Sequence, residues 1–253
     1  MLIEKNNIAK RYHNEGFIHL NNVVSTSLIK NILREISDFI EFQARKVGMK
    51  IYDNIDQTIL NIMEPETELR SFIYNIIRYN RSLQKIIYSD NFCDILKMIG
   101  FKQPIALESS TIRVDIPGET KFITPPHQDI RSIRGKKCVT VWFPFRKCNE
   151  TLGTLALYPK SHIRGLRKYE ILGTQNTISK KDRDELIKYE KIIVEAKPGD
   201  VIFMNSFLIH ESVASNNFPI KLNAQIIIND AKDIHFQDKF YKMNKIPATK
   251  NLL

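Results

Sequence analysis

Apolar residues recur every three or four positions over the first hundred residues, which is the spacing of amphipathic helices. The clearest helix is predicted to begin after Ser25, a residue type that caps helices, and to end near Gly48. Its apolar face consists of Leu28, Ile29, Ile32, Leu33, Ile36, Phe39 and Ile40. Two further helices are predicted over residues 69–79 and 83–99, whereas residues 48–64 carry no assignable pattern.

Gly100 marks a change to a period of two, which is the period of β-strands. Turn signals such as Pro117-Gly118 separate the strands, and a helical insert over residues 180–190 interrupts the series. Strands are predicted over residues 111–116, 138–145, 154–158, 191–195, 201–204, 209–213 and 221–229. Many short strands at this spacing predict a sandwich or small barrel. Because no repeat or low-complexity linker occurs, we predict one domain, residues 1–253, with the helices packed outside the sheets.

Composition excludes several classes of protein. The hydrophobic content of 43% is too high for a disordered chain, and three cysteines are too few for a disulfide framework. The longest apolar runs have the length of strands and are too short to span a membrane, and the first residues do not resemble a signal peptide. We therefore expect a cytoplasmic protein without a membrane partner.

The net charge of +10 indicates an anionic partner or substrate. The basic residues are spread along the chain, however, and form neither an arginine-rich tail nor a basic amphipathic helix. A stacking run of aromatic and basic residues is also absent, so we expect no nucleic-acid partner, and a nucleic-acid demethylase is the least favoured function. No feature of the sequence indicates an oligomeric state.

Two histidines and an aspartate form a candidate metal site. His127 and Asp129 stand two residues apart, so an extended backbone would point both side chains to one face. His210 lies in a later predicted strand. Two histidines and one carboxylate make the facial triad that holds non-heme Fe(II) and leaves coordination positions open. Each residue also has an ordinary explanation, namely a loop histidine beside an aspartate and a strand histidine that serves packing.

Five motifs follow one another in the second half of the chain. They are Thr-Pro-Pro-His127-Gln128-Asp129, Thr140-Val-Trp142-Phe-Pro144, Gly153-Thr-Leu-Ala-Leu-Tyr-Pro159-Lys160-Ser161-His162, His210-Glu-Ser212 and Lys221-Leu-Asn-Ala-Gln225. Near the start of the chain, Gly16-Phe17-Ile18 precedes the long helix. In order and spacing, this series resembles the phytanoyl-CoA dioxygenase family of Fe(II)/2-oxoglutarate oxygenases.

The resemblance implies a fold and a set of cofactors. The fold would be mainly β with flanking helices: a double-stranded β-helix core (jelly-roll, cupin-like) with a helical region packed outside. Residues 1–100 would give helical support, 101–230 the core and 231–253 a C-terminal tail. The cofactors would be Fe(II), the cosubstrate 2-oxoglutarate and O₂, with His127, Asp129 and His210 as the iron ligands. A carboxylate at Asp129 disfavours a halogenase, which binds chloride at that position.

The resemblance also assigns a cosubstrate site. Lys221 would pair with the far carboxylate of 2-oxoglutarate, assisted by Ser212, while Trp142 would line the pocket and Gln128 would contact substrate or cosubstrate. Lys221 departs from the family, which has arginine there. A lysine offers a point charge instead of a two-pronged fork, so we expect Arg113, on the polar side of its strand, to help.

The strand period supports a polar wall beside the metal ligands. His210 and Ser212 share one face of a strand, and Lys221, Asn223 and Gln225 share a face of the next. The other face of that strand is apolar, which is typical of a core-packing surface. Such a polar row is costly to bury unless a polar ligand fills the space beside it. The segment Ser161-His162 is interpreted as a structural turn at the mouth of the site.

The expected reaction is hydroxylation of a small, anionic metabolite, such as an acyl thioester, a sugar or nucleotide sugar, an amino acid or a natural-product intermediate. Basic residues directly after the ligand loop, Arg131 and Arg134, are predicted to bind the anionic group, and Gln225 to contact the substrate. The alternative is a catalytically silent binding or regulatory protein that keeps the fold, for which the lysine at position 221 is the reason.

Overall fold

Most of the helices lie in the first hundred residues of the chain. In the computed structural model, which describes residues 2–63, 68–107, 110–132, 137–173 and 175–235, the helices are α1 (Leu2–Glu15), α2 (Thr26–Lys46), α3 (Ile55–Met63), α4 (Glu68–Ile77), α5 (Arg81–Ile87), α6 (Asp90–Met98) and α7 (Lys180–Asp184). The start of α2 is as predicted, because the Ser25 hydroxyl accepts a hydrogen bond from the Leu28 amide. A 3₁₀ turn continues α7 over Glu185–Lys188, so the helical insert is confirmed.

The helix predicted over residues 83–99 is in fact two helices. The chain leaves α5 at Tyr88, and the hydroxyl of Ser89 then caps α6 by accepting from the Phe92 amide at 3.4 Å. An apolar period of 3.6 runs through both helices, which hides the cap from a reading of periodicity alone. Helix α3 fills part of the stretch without an assignable pattern.

The strands form two main sheets and a separate hairpin. They are β1 (Phe17–Leu20), β2 (Pro104–Ala106), β3 (Thr111–Asp115), β4 (Cys138–Pro144), β5 (Thr154–Leu157), β6 (Tyr169–Leu172), β7 (Gln175–Ile178), β8 (Ile192–Ile193), β9 (Val201–Asn205), β10 (His210–Val213) and β11 (Lys221–Asp230). The major sheet has the order β1-β9-β4-β11-β2, with β3 also paired to β11. The minor sheet has the order β10-β5-β8, and β6 pairs with β7. Pairing is antiparallel throughout these strands.

Strand β11 shows how the sheet separates core from cavity. Its apolar side chains join those of α2 and α3 in one buried cluster, so the helices cover the outer face of the major sheet. Members of this cluster include Ile32, Ile36, Ile59, Leu222, Ala224 and Ile226. A second cluster, which includes Trp142, Leu155, Leu157, Ile202 and Met204, lies between the two sheets. Of the two predicted alternatives, a sandwich or a small barrel, the structure has the sandwich, with the helices outside the sheets as predicted.

Several elements fall outside the sequence prediction. Strands β1 and β2, helix α1 and the β6–β7 hairpin were not predicted, because they are short or carry mixed polar and exposed residues. The region predicted as a tail is described only as far as residue 235, and the rest of it lies outside the described residues. No helix among the described residues combines the length and apolar character needed to cross a membrane.

Candidate metal centre

Three side chains distant in sequence converge at the end of the minor sheet. His127 Nε2 lies 3.4 Å from Asp129 Oδ1, and His210 Nε2 lies 3.4 Å from Asp129 Oδ2. The ring centroids of the two histidines are 4.2 Å apart. Among the described residues, these three form the group whose ligand atoms, all within 4.8 Å of one another, could hold a metal ion.

Backbone pairing brings the two histidines together. The His127 amide donates to the His210 carbonyl at 2.9 Å, and the His210 amide donates back at 3.1 Å. The backbone is extended only as far as His127, however, because Asp129 opens a 3₁₀ turn over Asp129–Ser132. The aspartate therefore reaches the histidines through this turn and not through the two-residue period of a strand. The hydroxyl of Ser161 accepts from the Ile209 amide at 2.8 Å and so holds the start of β10, in keeping with a structural role.

Hydrogen bonds fix the orientation of both imidazole rings. The Nδ1 of His127 lies 2.9 Å from the Pro125 carbonyl, and the Nδ1 of His210 lies 3.1 Å from the Leu208 carbonyl. A carbonyl can only accept, so each Nδ1 carries the proton and each Nε2 presents a lone pair toward Asp129. Thr140 donates its hydroxyl to Asp129 Oδ2 at 2.6 Å, which orients the carboxylate in the same way.

The protonation states also fit a metal ion. Burial, followed by the repulsion that a protonated His127 would exert, lowers the pKa of His210 to about 4, so this imidazole is neutral at pH 7. Burial alone would raise the pKa of Asp129, but attraction to the histidine rings in their protonated form and the Thr140 hydroxyl lower it by more. Neutral imidazole and ionised carboxylate are the forms that bind Fe(II), because each offers a lone pair.

A cavity of about 240 Å³ opens beside the triad. All the described candidate residues for cosubstrate binding line it, as does Gln225. They are Arg113, Gln128, Trp142, Ser212 and Lys221. The predicted polar row of Lys221, Asn223 and Gln225 thus faces this space, as the strand period requires. The hairpin contributes Tyr169, Gln175, Asn176, Thr177 and Ile178, which sequence analysis did not single out.

Gln128 differs from the expectation that it contacts a ligand. Its amide nitrogen donates to the carbonyls of Gly165 at 2.9 Å and Phe207 at 2.6 Å. Its amide oxygen accepts from the Arg167 amide at 2.8 Å. With both ends of the amide bound to backbone, Gln128 ties the segment before β6 to the metal-ligand loop.

Lys221 holds an internal partner that the sequence analysis missed. Its ammonium lies 2.6 Å from Asp115 Oδ2, and Arg113 Nη2 lies 3.0 Å from Asp115 Oδ1. Lys221 is directly opposite Asp115 in the antiparallel register of β11 and β3. The period of two that places Arg113 on the polar face of its strand also places Asp115 there, so the signal was present in the sequence.

Asn223 is a buried amide without a partner. It is 0% exposed, it lines the cavity, and neither its side-chain oxygen nor its nitrogen has a hydrogen-bond partner among the described residues. An unsatisfied buried amide costs about 1–3 kcal/mol. A polar ligand in the cavity would remove this cost, so the wall fits a group such as 2-oxoglutarate.

The side chains of the two basic residues predicted to bind substrate, Arg131 and Arg134, fall outside what the structure describes. Arg134 lies outside the described residues, and so does the side chain of Arg131. Lys160, just before Ser161, has a φ of +64°, in the left-handed region that favours glycine.

Comparison with known proteins gives one family and several similar folds. The sequence model of the phytanoyl-CoA dioxygenase (PhyH) family matches residues 12–218. Phytanoyl-CoA dioxygenase 1 of Oryza sativa subsp. japonica is 24% identical over 169 residues, which cover 65% of this chain. The matched stretch spans 58% of the rice protein, so the chain covers little more than half of that relative's length.

Solved structures share the fold at low sequence identity. The non-heme alpha-ketoglutarate-dependent epimerase SnoN from nogalamycin biosynthesis is similar with a TM-score of 0.63 and 13% identity, covering 98% of this chain and 92% of SnoN. EctD from S. alaskensis, crystallised with 2-oxoglutarate and 5-hydroxyectoine, has a TM-score of 0.65 and 14% identity, covering 90% of this chain and 76% of EctD. These similarities confirm the jelly-roll fold class.

Proposed function

The chain belongs to the phytanoyl-CoA dioxygenase family, and from this premise we propose that it is an Fe(II)- and 2-oxoglutarate-dependent oxygenase that hydroxylates a small metabolite. The observation that carries the proposal is the convergence of two Nε2 lone pairs and one ionised carboxylate at the wall of a polar cavity. A triad of this composition suits Fe(II) and leaves positions open for other ligands.

His127, Asp129 and His210 would hold the iron. Bound there, Fe(II) supplies the redox chemistry that couples O₂ to the oxidative decarboxylation of 2-oxoglutarate. The chain contributes the orientation of the ligands, since the Pro125 and Leu208 carbonyls keep each Nε2 free of a proton. His210 is 3% exposed and Asp129 6%, so these two side chains are shielded from bulk solvent.

The cosubstrate would lie against the inner face of the major sheet. Lys221 and Ser212 would bind its far carboxylate and Trp142 would pack beside it, a proposal supported by the position of all three in the cavity lining. The unsatisfied amide of Asn223 supplies a further donor and acceptor to the same space. The sheet thus offers one region of positive charge between apolar neighbours, which favours a dicarboxylate over neutral compounds.

The substrate would enter past the β6–β7 hairpin. Tyr169, Asn176 and Thr177 give this side of the cavity hydrogen-bonding groups without charge. An anionic group on the substrate would bind Arg131 and Arg134, a proposal that rests on their position in the sequence. Reversing both charges is then expected to raise the Michaelis constant and to leave iron binding unchanged.

Succinate release tests the proposed activity. Wild-type protein with Fe(II), ascorbate and 2-oxoglutarate is expected to form succinate in air, and the rate is expected to rise when a panel of small metabolites supplies a substrate. The Asp129→Ala variant serves as the matched blank, because it lacks the carboxylate of the triad. Cosubstrate binding without succinate from any member of the panel would favour a silent binding protein instead.

A further inference from the structure

Two cations that line the cavity, the buried Lys221 and the partly exposed Arg113, share the carboxylate of Asp115. Asp115 receives Lys221 on Oδ2 at 2.6 Å, while Arg113 approaches Oδ1 with Nη2 at 3.0 Å and Nε at 3.3 Å. The side chains of Lys221 and Asp115 are 7% and 11% exposed. We call Lys221, Arg113 and Asp115 together the Asp115 group.

The Asp115 group carries one net positive charge, because it has two cations and one carboxylate. Burial raises the pKa of Asp115, but Arg113 and Lys221 lower it by more, so the carboxyl is ionised. Burial lowers the pKa of Arg113, and Asp115 more than restores it. One positive charge can neutralise one additional carboxylate. With Fe(II) and Asp129 also counted, the site carries two positive charges, and these match the two negative charges of 2-oxoglutarate.

Both cations have capacity left for a ligand. Asp115 pairs with Lys221 by charge at a single carboxylate oxygen, and both Lys221 and Arg113 line the cavity. A lysine ammonium carries three N–H donors, so Lys221 can still donate to a ligand. Arg113 Nη1 faces Thr124, another cavity residue, through a weak hydrogen bond of 3.3 Å. Arg113 Nη2 donates to the Phe122 carbonyl at 2.8 Å, which holds the guanidinium in place. Nη1 can therefore give up its weak hydrogen bond to Thr124 and donate to a ligand instead.

We infer that Asp115 is a positioning residue: it holds Lys221 and Arg113 side by side and so sets the charge of the cosubstrate site. This inference rests on the proposed function. Asp115 allows two cations to lie side by side, which compensates for the lysine at position 221, because the point charge of Lys221 and the guanidinium of Arg113 together take the place of one arginine fork. Asp115 also repels the incoming carboxylate and therefore limits the affinity for the cosubstrate.

Ligand selectivity measures this role directly. The probes are 2-oxoglutarate and 2-oxopentanoate, which has the same chain length and chelating end but lacks the far carboxylate. Quenching of Trp142, the sole tryptophan of the chain, reports binding from inside the cavity, with Ni(II) bound to prevent turnover. The measured quantity is the ratio of the two dissociation constants, 2-oxopentanoate over 2-oxoglutarate.

The Asp115→Asn variant is expected to raise this ratio by about tenfold, because an isosteric amide removes the repelling charge and leaves both cations. Lys221→Met is expected to lower it by about tenfold or more, since one cation and one carboxylate then cancel. Adding Asp115→Asn to Lys221→Met is expected to recover most of that loss through Arg113. A purely structural ion pair would change binding of both probes alike and leave the ratio constant.

Asp94→Asn is the matched control. Asp94 is an exposed carboxylate on α6 that is paired with Lys97, so its loss changes the net charge equally without touching the cavity. Its ratio is expected to equal that of the wild type. If Asp115→Asn alone fails to fold, the variant that combines Asp115→Asn with Lys221→Met still tests the role of Asp115, because it removes both members of the ion pair together.

Failure of the proposed function and failure of the inference about Asp115 give different results. A wild-type chain that binds Ni(II) but not 2-oxoglutarate overturns the proposed function. A selective wild type whose ratio is unchanged or lowered in Asp115→Asn, or a double variant no more selective than Lys221→Met, overturns the role of Asp115 alone.

Discussion

Replacing His210 by alanine is expected to lower the affinity for Fe(II) by about a hundredfold or more and to abolish succinate formation. Removing a residue that only orients a metal ligand lowers metal affinity by about 10–100-fold, and removing a direct ligand lowers it by more. His210 is neutral and oriented by the Leu208 carbonyl, so its Nε2 cannot be replaced by a neighbouring group in the described structure. Equilibrium dialysis with Fe(II) under anaerobic conditions measures the change.

The control for this substitution is His235→Ala. His235 is exposed and lies in the turn after β11, outside the cavity lining, so its loss is expected to leave metal affinity unchanged. Retention of the melting temperature in His210→Ala would show that the fold survives. Equal Fe(II) affinity in wild type and His210→Ala would be incompatible with the triad.

Replacing Asp56 by alanine is expected to lower the free energy of unfolding by about 3 kcal/mol and the melting temperature by about 6–12 °C. Asp56 accepts from Arg146 Nη1 at 2.9 Å and from the Ile220 amide at 3.1 Å, and it is 6% exposed. Its removal leaves the Arg146 guanidinium without its carboxylate and the Ile220 amide without an acceptor.

The same substitution is expected to weaken 2-oxoglutarate binding, because Ile220 directly precedes Lys221 and Asp56 holds the start of β11 in place. Differential scanning calorimetry gives the stability, and Trp142 quenching gives the affinity. Asp53→Ala, an exposed aspartate just before α3, is the control and is expected to change neither. A melting temperature within about 2 °C of the wild type, which corresponds to a loss of about 1 kcal/mol or less, would contradict the proposed contribution of Asp56 to stability.

The strand period carried most of the correct predictions. On β11 the alternation places Leu222 and Ala224 in the helix-covered core and Lys221 and Asn223 at the cavity, as the pattern requires. A period of two fixes the facing of every residue once one face is known to be buried. The order of the motifs predicted the phytanoyl-CoA dioxygenase family, and the match of that family's sequence model over residues 12–218 confirms it.

Other features depend on contacts that no local pattern encodes. Asp115 meets Lys221 only because β3 and β11 pair in one particular register. Asp129 reaches the histidines through a 3₁₀ turn, although the H-x-D spacing suggested a strand face. The hairpin at the cavity mouth has exposed residues such as Ile171 and Leu172 on an isolated pair of strands, so its sequence lacks the clean alternation of a half-buried sheet.

The visible charge-transfer band of a 2-oxo acid chelated to Fe(II) tests the central claim most directly. Anaerobic titration of the wild type with Fe(II) in the presence of 2-oxoglutarate is expected to produce this band and to saturate at about one iron per chain. The Asp129→Ala variant is expected to produce none. Iron bound by the wild type without the band, or a band of equal intensity and stoichiometry in Asp129→Ala, would contradict the assignment of the triad as the site where iron and cosubstrate meet.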